Sequence, residues 1–228
     1  MPTRRITRSP VKVTGTAPDG QQFESTLEED FFVLLRFNPL VASFEHQPRT
    51  IEWRDDEQNV RTYTPDVLVR YRANIFESAN WPPVLCEVKP DFTEKSESPR
   101  RRKPPRKENE AENLLKWAAA ERYAARNGWT FKVVRESEIR TPYLDNARFL
   151  LRALERPCDS KHESALLAWL EERQAASLGE WASLRGQSLE QRAEVLPACY
   201  RLIALRQVEV DLSVPLTLNS MVKALRRA

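Results

Sequence analysis

Residues 65–90 read PDVLVRYRANIFESANWPPVLCEVKP, and the two apolar stretches at their ends decide the fold. The first belongs to a strand expected over Arg61–Tyr71. Its period-two alternation puts Val67, Val69 and Tyr71 on one face and Asp66, Leu68 and Arg70 on the other. The second, Val84–Lys89, is a compact strand that stops at Pro90. Glu87 and Lys89 are two residues apart, so both side chains leave the same face while Val88 points into the core. If the strand carrying Asp66 is the antiparallel neighbour, two carboxylates and an ammonium converge on one edge. Phosphodiester hydrolysis needs such a set. Carboxylates bind divalent ions that polarise the phosphate and acidify a water, and a lysine orients that water or meets the developing charge. An acid–acid–lysine pattern is short, however, and equally describes a strand cap at Asp66 with a solvated Glu87–Lys89 pair. Three features favour the chemical reading: Pro65 and Pro90 frame the segment, the acids interrupt hydrophobic runs, and an upstream helix offers Glu28 as a further acid.

That helix begins near Ser25, where Ser25 and Glu28 have capping-box spacing. Leu27, Phe31, Leu34 and Leu35 form its apolar stripe, and Asn38-Pro39 ends it. Glu29, Asp30 and Glu45 compete with Glu28 for the upstream acid. Glu28 and Glu29 point about 100° apart on a helix, so only one can face the site. A short strand spans Val41–Gln47. His46 reads as a surface or satisfied histidine and Gln47 as a structural hydrogen bond or a DNA contact. Downstream, residues 91–107 form a proline-rich basic linker expected to be mobile. A helix over 108–127 closes at Gly128, and WTFKVVR (129–135) is a buried strand. Helix, strands, helix, strand is the order of an α/β core. From Thr141 the pattern is helical to about Arg206. Two short strands, Val208–Leu212 and Pro215–Leu218, then flank Ser213, an arrangement that suits a winged-helix module. The resulting division is a basic, irregular arm over 1–24, a catalytic domain over 25–145 and a small C-terminal domain over 146–228.

Bulk composition restricts the chemistry. The chain has 228 residues, 41% hydrophobic and 30% charged, with a net charge of +3. No stretch of 18 apolar residues occurs and MPTRRITRSPVKV lacks a signal-peptide core, so no membrane span is expected and the cytoplasm is the simplest location. The three cysteines are scattered and the histidines number two, which disfavours a disulfide framework, a zinc site or a His base. Any metal site would use oxygen ligands and take Mg2+ or Mn2+. Basic residues cluster at Arg4, Arg5, Arg8 and Lys12, at Arg226 and Arg227, and in the run Arg100, Arg101, Arg102, Lys103, Arg106 and Lys107. The last is a candidate DNA contact or a solvated linker. Arg201 and Arg206 are further candidates if the C-terminal domain binds DNA. Trp117, Trp129, Trp169 and Trp181 read as packing residues.

An ordered set of motifs is more specific than any one of them. ESTLEEDFFVLLRFNPLVASFEHQP (24–48), YTPDVLVRY (63–71), CEVKP (86–90) and NGWTFKVVRESEIR (127–140) resemble the TnsA family. So do TRSPVKVTGTAPDG (7–20) near the start, and TPYLDNARFLLRAL (141–154) and YRLIALRQVEVDLSVPLT (200–217) near the end. The family comprises endonuclease subunits of heteromeric cut-and-paste transposases. The resemblance implies a restriction-endonuclease-like α/β core followed by a small helical, winged-helix-like domain. It implies Glu28, Asp66, Glu87 and Lys89 as catalytic residues. Asp66, Glu87 and Glu28 would be metal ligands, with the Val88 carbonyl completing the shell around one or two Mg2+ or Mn2+ ions. Glu87 stands at an acid-or-amide position of the family, and glutamate is the better cation ligand. The implied activity is cleavage of the 5′ ends of a transposon in double-stranded DNA. The implied partners are a DDE transposase, TnsB, and an AAA+ regulator, TnsC. The competing readings are a stand-alone restriction-like or junction-resolving nuclease, and a non-catalytic DNA-binding adaptor.

Overall fold

A computed structural model describes residues 15–16, 20, 22–23, 25–91, 110–155 and 160–225. The basic runs at 1–14, 100–107 and 226–227, the linker expected over most of 91–107, and Cys158 lie outside the described residues. The chain divides into two compact units, Met1–Ile139 and Arg140–Ala228.

The first unit opens with a short antiparallel pair, β1 (Gly15–Thr16) and β2 (Gln22–Phe23), inside the stretch expected to be irregular. Helix α1 (Thr26–Phe37) follows. Ser25 caps it by accepting the Glu28 N–H, and Leu27, Phe31, Phe32 and Leu35 are buried along it. Then come β3 (Val41–His46), β4 (Ile51–Arg54), β5 (Val60–Tyr63), β6 (Val67–Tyr71) and β7 (Val84–Lys89). Helix α2 (Glu110–Arg126) leads to β8 (Thr130–Arg135) and the short α3 (Glu136–Ile139). Gly128, at φ 70°, closes the turn after α2, where a left-handed residue is needed. The central sheet has the order β3-β6-β7-β8. β6 runs antiparallel to both β3 and β7, and β7 runs parallel to β8, with α2 in the connection between them as a parallel pair requires.

One expectation is corrected here. The strand expected over Arg61–Tyr71 is two strands, broken at Thr64–Asp66. Pro65 has no N–H to give a ladder, and the Asp66 carbonyl is taken instead by the Gln47 N–H at 2.7 Å. The released first half, β5, folds back on β4 as a separate hairpin that the periodicity did not disclose. That hairpin lies over the sheet with α2. Ile51, Trp53 and Tyr63 form one core with Leu68 and Leu85 of the sheet and Ala119, Ala120 and Ala124 of the helix. The alanines keep the helix close to the strands. On α1, Phe32 sits against Phe44 and His46 of β3, with ring centroids 5.2 and 5.6 Å apart.

The second unit contains α4 (Pro142–Glu155), α5 (Ser160–Arg173), β9 (Ala175–Ser177), α6 (Leu178–Ala182), α7 (Leu189–Ala204), β10 (Val208–Val210) and β11 (Met221–Ala224). A three-stranded sheet of order β10-β11-β9 joins helices packed around Leu150, Leu166, Leu170, Leu202 and Ile203. Trp181 is fully buried and gives its indole N–H to the Leu166 carbonyl. Two further corrections apply. The helical run is interrupted by β9, and the second hairpin strand is Met221–Ala224, not Pro215–Leu218. Residues 211–217 cannot ladder across Pro215, and side chains satisfy their backbone instead, Asn146 foremost. Asn146 of α4 donates to the carbonyls of Leu212 (2.9 Å) and Val214 (2.8 Å) and accepts the Leu216 N–H (3.0 Å). Arg201 is bridged to Glu163 at 3.0 Å, and Arg206 donates to the Tyr143 hydroxyl at 2.6 Å, so each has a partner within this unit. Cys86 and Cys199 are buried and not disulfide-bonded. No helix of the described residues is long and apolar enough to cross a membrane.

Truncating Asn146 to alanine leaves two carbonyls and one N–H without this partner. Urea unfolding of Asn146→Ala is expected to show a loss of about 2–3 kcal/mol. A loss below about 0.5 kcal/mol would mean the loop is held by something else.

Candidate active site

The antiparallel register of β6 and β7 aligns Val67 with Cys86 and Leu68 with Leu85. Continued by one residue, it sets Asp66 opposite Glu87, with both side chains on the face that carries Leu68 and Leu85. Asp66 lies just before β6, and its Oδ2 accepts the Val88 N–H at 2.7 Å, which ties the acid to β7. Glu87 is almost completely enclosed, at 4% exposure. Its two oxygens are divided: Oε2 accepts the Tyr63 hydroxyl at 2.6 Å, and Oε1 lies 3.2 Å from the Lys89 ammonium. Glu28, in the first turn of α1, is also buried. Its Oε1 accepts the Ser25 hydroxyl at 3.1 Å, and its Oε2 lies 3.3 Å from His46 Nε2.

These three acids share one electrostatic environment. Burial pushes the Asp66 carboxyl well above its ordinary range, and the nearby charges of Glu87 and Glu28 push it further. The Val88 N–H and the Lys89 ammonium pull the other way without restoring it. Asp66 as a residue keeps some contact with solvent, but its carboxyl group is enclosed by protein. Among competing acids, Glu45 on β3 is engaged by Arg49 and Arg70 at 3.8 and 3.9 Å. Asp30 is buried on α1, and Glu29 is more open.

Two neighbours were not legible as site residues. His46 is 2% exposed and beside Glu28, where the sequence suggested a surface or satisfied histidine. Tyr63 approaches Glu87 from the β4–β5 hairpin, and only the break at Pro65 turns it that way. Gln47 is buried at φ 46°, a left-handed conformation that a glutamine adopts at a cost of about 1–3 kcal/mol. Its N–H holds the Asp66 carbonyl, so the strained residue borders the cluster.

Carboxylate oxygens are donors that a hard divalent cation could use, and the charges of Glu87 and Glu28 disfavour the ionised form of Asp66 beside them. As they stand, no three His, Cys, Asp or Glu side chains among the described residues are drawn closely enough to hold an ion. Both Glu87 oxygens already have partners, and each keeps a further lone pair.

Residues 38–136 match the family model described as TnsA-like endonuclease N terminal. The chain carries a TnsA-like endonuclease domain. Asp66, Glu87, Lys89, Tyr63 and His46 lie within the matched span of this TnsA-like domain, and Glu28 lies just upstream of it. No curated protein matches the chain. The match supports a transposon-associated nuclease, with DNA as the class of substrate.

The raised Asp66 pKa has a consequence for stability. Near pH 4 the unfolded chain already releases this proton while the folded protein retains it, so stability falls as pH rises through the folded pKa. In the presence of a chelator, Asp66→Asn is expected to be more stable than the parent at pH 8, with a flatter dependence of Tm on pH above 4. A lower Tm for the variant at pH 8 would show that Asp66 is not held against its own charge.

Proposed function

We propose that the chain is a metal-dependent DNA endonuclease that cuts the 5′ ends of a transposon, with Glu28, Asp66, Glu87 and Lys89 at its active site. The observation that carries this reading is the antiparallel seating of Asp66 opposite Glu87, with Lys89 3.2 Å from Glu87. Asp66, fixed by the Val88 N–H, is the central ligand for Mg2+ or Mn2+, and Glu87, Glu28 and the Val88 carbonyl are the further candidates. A divalent cation bound there would polarise the scissile phosphate and acidify the attacking water. Lys89 is well placed to orient that water or to meet charge developing on the phosphate, because its ammonium stays at the cluster. Burial of Glu28 and Glu87 excludes bulk water, which strengthens each of these interactions.

The C-terminal unit supports a winged-helix reading. Its order is helix α5, strand β9, helices α6 and α7, then the β10–β11 hairpin, with β11 central in the sheet. In this proposal it serves DNA or protein-partner binding. The 3′ ends would be processed by a DDE transposase of the TnsB kind, and a TnsC-like AAA+ protein would couple cleavage to target choice.

The test combines the purified protein, its transposase, transposon-end DNA and magnesium, with 5′-strand cleavage read on a denaturing gel. Asp66→Ala and Lys89→Ala are each expected to lower the cleavage rate by roughly 10²–10³-fold. Cleavage at the parental rate in both variants would refute the assignment.

A further inference from the structure

We propose that Tyr63 is a positioning residue of the active site, its hydroxyl fixing the Glu87 carboxylate in the orientation from which it binds a divalent cation. The inference rests on the metal-dependent reading above and adds to it a residue from outside the acid–acid–lysine motif.

Tyr63 is the last residue of β5 and pairs with Ile51 in a hairpin that shares no ladder with the central sheet. Its ring is anchored independently of its hydroxyl. It packs with Ile51, Trp53, Leu68 and Leu85, and the Lys116 ammonium lies over it, 5.3 Å from the centroid. The hydroxyl emerges from this apolar core at one point and donates to Glu87 Oε2 at 2.6 Å. A hydrogen bond to a carboxylate in a buried setting is short and strong.

Glu87 projects from a rigid strand, but its carboxylate can still rotate about its last bond. Lys89, on the same strand, approaches Oε1 and leaves Oε2 to be held by something else. The Tyr63 hydroxyl does so from the opposing hairpin, and the two contacts together fix the plane of the carboxylate. The hairpin therefore does more than cover the sheet: it carries the group that orients a ligand on a different element. Partners that orient ligands in this way typically contribute 10–100-fold to metal affinity.

The experiment is calorimetric titration of the full chain with Mn2+ alone, comparing the parent, Tyr63→Phe, Asp66→Asn, Glu87→Ala and the double variant Tyr63→Phe/Glu87→Ala. Tyr63→Phe keeps the ring, its core contacts and its place under Lys116, and a thermal scan verifies folding. The expected result is no measurable binding by Asp66→Asn and about tenfold weaker binding by Tyr63→Phe. In the Glu87→Ala background, Tyr63→Phe is expected to have no further effect, an outcome a merely structural role would not produce. Parental affinity in Tyr63→Phe, with binding lost in Asp66→Asn, would overturn this inference and leave the metal-site reading intact. An equal loss from Tyr63→Phe with or without Glu87 would also overturn it. Parental affinity in Asp66→Asn would overturn both.

Discussion

The antiparallel pairing of β6 with β7 is the constraint on which the rest of the first unit depends. It sets Val67 against Cys86 and Leu68 against Leu85, and so places Asp66 opposite Glu87. A slip of one residue would send Asp66 to the opposite face and bury a charge among the apolar side chains there. Several features hold the register. Val67, Leu68 and Leu85 are fully enclosed, so both faces of the pairing are specified. The Val88 N–H reaches across to Asp66, and the Gln47 N–H fixes the Asp66 carbonyl from the end of β3.

The cluster shows a conflict between stability and chemistry. Burial and the charges of Glu87 and Glu28 together disfavour the ionised form of Asp66, which shows in its elevated pKa. The fold tolerates it because the flanking acids have partners from separate elements. Glu28 has Ser25 and His46, and Glu87 has Tyr63 and Lys89. Strain at Gln47 adds to the same region.

Much of this could be read from the chain because the physics is local. Two-residue alternation marked β6, a compact apolar run stopped by Pro90 marked β7, Ser25 marked the start of α1, and Gly128 marked the end of α2. The spacing of Glu87 and Lys89 put them on one face. What escaped reading depended on distant contacts. Val60–Tyr63 and Val67–Tyr71 look continuous in sequence, but the chain leaves β5 at Pro65 and the Asp66 carbonyl pairs with Gln47. Tyr63 therefore gave no sign that it would meet Glu87. His46 is apolar-packed beside Phe32, a contact that requires α1 and β3 to be brought together first. In the second unit, β9 is three residues long and was hidden in a helical pattern, and the 211–217 loop takes its shape from Asn146, far away in sequence.

The central claim is that β6 and β7 assemble a cation-binding carboxylate site at Asp66. The most direct measurement is anomalous diffraction at the manganese edge from crystals of the protein soaked in Mn2+. The account predicts an anomalous peak within ligand distance, about 2.0–2.3 Å, of an Asp66 carboxylate oxygen, with Glu87, Glu28 or the Val88 carbonyl in its shell. A well-occupied peak elsewhere in the molecule, with none at Asp66, would contradict it.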